Sequence, residues 1–252
     1  MKVAIRLYRT YKNLVSPHRF LLRRSISRFG SSLSPARAFS QCVDIGGGTS
    51  PLRATIVQSF KVDRYWSLDI APSDVTDIVA DAGALPLADD SVDLILCIEV
   101  LQHIRDYVRV LDEMVRVLRL GGLMIVTFPF IYGECDVQDF RRWILFGMMD
   151  ELERAGCTVI NAEPRGGAAF ATVACWSSAF NNLVPGGRDS WRAERSMKGY
   201  FRVAFLEVLG LPLTVLRWVA IALDKMLPRS GVYMGGIVVA AKVKVRVPTG
   251  DQ

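Results

Sequence analysis

The sequence predicts an α/β fold, a largely parallel β-sheet flanked by helices, with a basic helical leader ahead of it and an apolar helical insertion before its last strand. Three observations predict it. From residue 41 onward, short apolar runs of strand length alternate with segments of helical period. The first run ends in three glycines, Gly46, Gly47 and Gly48, and the fourth, Val92 to Ile98, is almost continuously apolar, as a strand buried on both faces must be. The 252 residues are enough for one well-buried core. A 51% apolar content with positive mean hydropathy exceeds what that core needs, so another element absorbs apolar residues.

Residues 1–40 form the leader. Nine of the 31 basic residues and none of the 25 acidic ones lie before Asp44, so the basic excess is concentrated there. Val3, Leu7, Tyr11 and Leu14 recur at helical spacing with Lys2, Arg6 and Arg9 opposite, until Pro17 stops the pattern. Such a helix either lies on an anionic lipid surface or packs its stripe on the core, and an Arg- and Ser-rich transit segment is a third reading.

Residues 41–165 form the core. A first strand from Gln41 to Ile45 is followed by the glycine turn, a second from Tyr65 to Asp69, a third from Asp77 to Asp81 and a fourth from Val92 to Ile98. A helix from Ile104 to Leu118 stops at Gly121 and Gly122, and a fifth strand runs from Leu123 to Phe128. A helix from Asp139 to Ala155 and a sixth strand from Thr158 to Glu163 complete it. Residues 166–230 are the insertion. Its segment from Gly199 to Leu223 is apolar but interrupted by Arg202, Glu207 and Arg217 and broken at Pro212, so it reads as two short helices, a lid or a membrane-interface element, and not a spanning one. Residues 231–252 hold the final strand, from Val232 to Val247, and the tail.

The chemistry lies at the strand ends. A glycine turn after a strand lets a ligand approach the backbone, but Asp44, just ahead of the glycines, would repel a pyrophosphate. It would instead hold an ammonium, which S-adenosylmethionine (SAM) carries. Asp69, about 20 residues past the glycines, sits where a carboxylate can take both ribose hydroxyls. Asp81 could accept from an adenine amino group, with Ala82 beside the ring edge.

Val43-Asp-Ile-Gly-Gly-Gly48, Leu68-Asp69, the run from Asp81 to Ile95, Glu99-Val-Leu-Gln-His103 and the run from Leu118 to Val126 together resemble the class I SAM-dependent methyltransferases, particularly small bacterial ones. The resemblance implies a Rossmann-like seven-stranded methyltransferase sheet whose last two strands are antiparallel. It places Asp44 and the backbone of Gly46, Gly47 and Gly48 at the methionine end, and Asp69 with Ile70 at the ribose. Asp81 and Ala82 fall at the adenine, and Glu99 counts among the cofactor contacts. Ser50 stands where the family usually has another glycine.

An in-line methyl transfer to a hydroxyl needs a positioned base after strands four and five. His103 falls there, and so do Asp139 and Arg142 in a stretch similar to methyltransferases of polysaccharide and lipid-linked glycan pathways. Against these roles stand a backbone-bonded helix-start histidine and an Asp139 that caps the next helix with Arg142 as its partner.

The expected activity is therefore SAM-dependent O-methylation of a sugar or other hydroxylated, lipid-linked acceptor at a membrane surface. The alternatives are a soluble methyltransferase of a phenol, quinone or natural product, and a non-catalytic methyltransferase-like binding subunit. Five scattered cysteines and two histidines argue for reduced core fillers and no metal site. The expected location is cytoplasmic, peripheral on the inner face of the membrane, without nucleic acid as a partner.

Overall fold

The structure, a computed structural model, describes residues 16–33, 37–48, 52–131, 133, 137–183, 211–227 and 231–243. The leader helix around Val3 to Leu14, the insertion's first helix and the tail lie outside them. The chain forms two compact units. One comprises Leu22–Phe130, Cys135–Arg165 and Gly235–Gln252, and the other Met1–Leu21, Ile131–Glu134 and Gly166–Met234.

The first unit is a seven-stranded sheet. Its strands are β1 (Phe39–Ile45), β2 (Val62–Asp69), β3 (Ile78–Val79), β4 (Val92–Ile98), β5 (Leu118–Pro129), β6 (Cys157–Arg165) and β7 (Gly235–Lys242). They are ordered 3-2-1-4-5-7-6, with β1 to β5 parallel and β7 antiparallel to both β5 and β6. The strand order reverses at β1 and β4, so a crevice opens where the connections after these two strands depart in opposite directions, at the carboxyl edge. Period-2 side chains divide the core in two. Val43, Ile45, Ile95, Cys97, Met124 and Val126 pack on one face, and Cys42, Leu94, Leu96, Leu123 and Ile125 on the other.

The helices follow from the same apolar spacing. In α1 (Pro17–Ser32), Leu22, Ile26 and Phe29 are buried at helical intervals in the second of these faces, with Phe39 and Phe60. Gly30 lets α1 approach α2 (Arg53–Phe60): a Cβ there would lie 2.6 Å from the Ser59 carbonyl oxygen. Part of the expected leader is thus core structure, and Pro17, which ends the first apolar pattern, starts a new helix, where its missing N–H costs nothing.

Three boundaries differ from expectation. The helix expected from Ile104 begins at Tyr107 as α3 (Tyr107–Val117), because the Asp106 carboxylate accepts from the Arg109 N–H and caps it. Gly121 and Gly122 do not end that helix but lie within β5. There Val92 pairs with Leu118 and Leu94 with Leu123, a bulge that Gly121 accommodates at φ +72°. The helix expected from Asp139 begins at Leu145 as α4 (Leu145–Arg154), with Ile144 at its N-cap, and residues 139–144 form neither helix nor strand, so Asp139 does not cap it.

The second unit contains α5 (Ala168–Leu183) and α6 (Leu211–Leu223). Phe170, Ala171, Ala174, Ala220, Ile221 and Met234 form its core, and Phe20 meets Trp218 edge to face at 4.8 Å. The Asp224 carboxylate accepts from the N–H groups of Gly167 (2.8 Å), Ala169 (2.9 Å) and Phe170 (3.1 Å), so a residue just past α6 caps the start of α5. Pro212 sits in the first turn of α6, where proline is tolerated. Among the described residues no helix is long and apolar enough to cross a membrane.

Candidate active site

The ends of β1, β2 and β3 gather the acids singled out in the sequence. The turn after β1 is tight: the N–H groups of Gly46 and Gly47 both donate to the Leu68 carbonyl, at 2.7 and 3.1 Å. Gly46 (φ +69°) and Gly48 (φ +46°) occupy left-handed conformations that favour glycine. A Cβ on Gly46 would also lie 2.4 Å from Val100 Cγ2, and one on Gly47 2.4 Å from Ser67 Oγ. The turn therefore presents bare backbone, with no room for side chains at Gly46 and Gly47.

Asp44 lies beneath this turn, 4% exposed, and accepts a hydrogen bond from the Tyr65 hydroxyl. Its charge is felt in the core: burial first, then Asp44, pushes the Cys42 and Cys97 thiols up. Asp69 ties the next strand end to the turn, with Oδ2 accepting from the Gly48 N–H at 3.0 Å and Oδ1 from the Ala71 N–H at 3.0 Å. Each carboxylate oxygen has a second lone pair, so these bonds orient Asp69 without exhausting it. Ile70 beside it is 74% exposed, an apolar surface at the strand end. Asp81 Oδ1 accepts from the Gly83 N–H at 2.8 Å, and Ala82 is buried.

Glu99 follows β4 in a left-handed conformation, φ +57°, which costs a non-glycine residue about 1–3 kcal/mol. Several bonds hold it there. Its N–H donates to the Thr127 carbonyl (3.2 Å) and Oγ1 (3.1 Å), and its carbonyl accepts from Gln102 Nε2 (2.8 Å). Thr127 Oγ1 and the Arg165 guanidinium donate to its carboxylate.

The loops after β4 and β5 bring the expected catalytic residues together. His103 ends a short 3₁₀ turn (Leu101–His103), and its Nδ1 lies 3.3 Å from the Gln138 carbonyl oxygen. The Phe140 N–H donates to the Gln102 carbonyl, and Arg141 Nη1 donates to the carbonyls of Ile104 and Arg105. Asp139 is fully buried and receives the two-pronged guanidinium of Arg142, one bond at 2.6 Å. The ion pair weighed in the sequence is present.

Three participants escaped the sequence reading: Tyr65, Thr127 and Arg165. Tyr65 had a signal, since Tyr65 pairs with Cys42 and Ser67 with Asp44 in the parallel register, placing all four on one face. Arg165 had none, because its partner Glu99 is 66 positions away.

Residues 43–126 match the family model described as "Methyltransferase domain". Among curated proteins, the chain is 31% identical over 115 residues to malonyl-[acyl-carrier protein] O-methyltransferase of Methylococcus capsulatus, covering 40% of this chain and 41% of that one. It is 30% identical over 151 residues to the ubiquinone/menaquinone biosynthesis C-methyltransferase UbiE of Hahella chejuensis, covering 51% of this chain and 61% of the relative. The chain thus spans less than two thirds of either relative's length. Among solved structures, a Galdieria sulphuraria protein described as a sarcosine dimethylglycine methyltransferase superposes with a TM-score of 0.56 at 17% identity, over 89% of this chain and 85% of that chain. The [4+2]-cyclase SpnF does so at 0.54 and 15%, over 87% and 80%. Residues 43–126 are thus similar to a SAM-dependent methyltransferase domain, and the sheet order is that of the methyltransferase fold.

Proposed function

We propose that the protein transfers a methyl group from SAM to a hydroxyl of a sugar or another hydroxylated, lipid-linked acceptor presented at a membrane surface. The observation that carries the donor half of this reading is the Gly46–Gly48 turn, with Asp69 bonded to it and Asp44 beneath it. In this reading Asp44 and the turn hold the methionine end, Asp69 and Ile70 the ribose, Asp81 and Ala82 the adenine, and Glu99 is a further cofactor contact. When bound, SAM supplies a methyl group on a positively charged sulfur.

The chain's own residues position the acceptor and manage its proton. His103 stands after β4 with Nδ1 turned to the Gln138 carbonyl, which favours the tautomer with a proton on Nδ1 and leaves Nε2 as a base. The Asp139–Arg142 pair, fixed by the buried carboxylate, braces the segment that carries Gln138. His103 would take the proton of the acceptor hydroxyl as that oxygen receives the methyl group.

The membrane half of the reading is supported by α6. Ala220 and Ile221 pack inward, yet Val215 (61%), Leu216 (50%) and Val219 (48%) are exposed on its other side. The apolar residues of this helix thus spread beyond its packed side and leave an apolar face that suits a cover. Its 13 residues extend roughly 20 Å, short of the roughly 30 Å hydrocarbon core, so it suits lying in an interface. A soluble small-molecule acceptor is the second reading, favoured by the names of the two curated relatives. The family match ends at Val126, before Asp139, Arg142 and Arg165.

The test is release of S-adenosylhomocysteine from the full chain with lipid-linked glycans, free glycosides, phenols and quinols, each with and without anionic liposomes. Turnover of a lipid-linked glycan that rises with liposomes supports the proposal. Turnover of a phenol or quinol alone, indifferent to lipid, replaces it with the second reading.

A further inference from the structure

Arg165 is the last residue of β6, and it is 2% exposed. Its partner Glu99 stands at the end of β4, with β7 and β5 between them in the sheet. Three strand spacings of about 4.8 Å separate the two backbones by roughly 14 Å, so both side chains must extend towards each other across the carboxyl edge. Gly235 makes the path. It is paired with Arg165 on one side and Pro129 on the other, and a Cβ there would lie 2.9 Å from Arg165 Nη2 and 2.2 Å from the Phe128 carbonyl oxygen. A side chain at 235 would obstruct the bridge.

The bridge is incomplete in its hydrogen bonding. Nη2 meets Glu99 Oε1, but the buried Nε and Nη1 of Arg165 have no partner. Close by in sequence, Gln102 spends its Nε2 on the Glu99 carbonyl and leaves its buried Oε1 without a partner. Unsatisfied buried polar atoms of this kind cost on the order of 1–3 kcal/mol each, so their retention points to a ligand. The Glu99 side chain is 23% exposed and gives the pair an opening to solvent.

The charge balance selects the ligand's chemistry. Glu99 already neutralises Arg165, so a phosphate or carboxylate would sit beside a like charge. A quinone carbonyl could only accept. A hydroxyl both donates and accepts, so adjacent hydroxyls can serve the open donors of Arg165 and the open Oε1 of Gln102 at once. We propose that Glu99 and Arg165, bridged across Gly235, form a subsite for the neighbouring hydroxyls of a neutral sugar ring, with Arg165 as a specificity-determining residue for the acceptor. This rests on the methyltransferase reading and narrows its acceptor to a polyol face.

The test is saturation-transfer NMR on the full chain saturated with S-adenosylhomocysteine, using methyl glucopyranoside, methyl mannopyranoside, 4-methoxyphenol and inorganic phosphate as probes, the last followed by phosphorus line width. Ring-proton signals from at least one glycoside are expected, falling about tenfold in Arg165→Gln, the scale of one lost charged hydrogen bond. Arg165→Lys keeps a buried cation beside Glu99 but removes the planar fork, and it should lose the glycoside equally while binding S-adenosylhomocysteine as the wild type does. Glycoside signals that survive in Arg165→Lys overturn the subsite, as do silent glycosides beside a responding phenol or phosphate, or silence from all four probes. Failure of the wild type to bind S-adenosylhomocysteine at all is a different result and overturns the underlying methyltransferase reading.

Discussion

Gly46→Ala should be among the costliest single-methyl additions in the chain. The residue sits at φ +69°, where an alanine pays about 1–2 kcal/mol for the left-handed backbone. Its new methyl would also lie 2.4 Å from Val100 Cγ2, and relieving such an overlap in a packed region costs about 1–3 kcal/mol. The sum is about 2–5 kcal/mol, read by urea unfolding of the full chain. The two costs separate by experiment. Val100→Ala alone should lose about 1 kcal/mol by truncating a half-buried side chain, but in the Gly46→Ala background it opens the space the new methyl needs. The double variant should therefore recover about 1–3 kcal/mol relative to additivity and retain the backbone cost. Additive losses would show that Val100 does not press on the turn, and a neutral Gly46→Ala would refute the geometry of the turn itself.

Tyr65→Phe removes a hydrogen bond to the buried Asp44 carboxylate; about 1–3 kcal/mol of unfolding free energy should go with it, and an unchanged urea midpoint would contradict that. Asp44→Asn, which keeps the volume and deletes the charge, should weaken SAM at least tenfold in a calorimetric titration if Asp44 faces the donor's cationic end; equal affinity would remove it from that role. The hydrogen bond from Arg116 holds the Glu113 carboxyl below its ordinary value of 4.5 while Glu113 accepts from the Leu85 N–H at 2.7 Å. Its folded value is the lower one, so its contribution is complete above the unfolded value and is lost as pH falls through the folded one. Glu113→Gln should flatten this acid portion of the stability curve; an unaltered slope would show that the pair contributes nothing. Replacing Val215, Leu216 and Val219 together by serine should abolish co-sedimentation with anionic liposomes, and undiminished sedimentation would exclude α6 as the lipid contact.

What the sequence revealed of this molecule was local. Asp44, the glycines, Asp69 and Asp81 lie within 40 positions, and the parallel register carries them to neighbouring strand ends, so spacing alone was enough to group them. The burial of β4 on both faces was equally legible, because a continuous apolar run has few other uses. Misreadings arose where a residue has two physical roles. Gly121 and Gly122 are as good at breaking a helix as at opening a bulge, and the neighbouring strand decides between them. Asp139 could cap a helix or hold an arginine, and the irregular stretch before Leu145 decides for the second. The bridge from Arg165 to Glu99 could not be read at all, since it depends on two strands placed between them by the antiparallel return of β7, and on a glycine there whose purpose is the absence of a side chain.

The most direct test is a calorimetric titration of SAM into the full chain and its Asp69→Ala variant. A saturable single-site isotherm for the wild type, weakened at least tenfold when the carboxylate that meets the Gly48 N–H is removed, is the predicted result. A wild type that takes up no SAM, or a variant that binds it equally well, would contradict the assignment of this strand-end crevice to the donor.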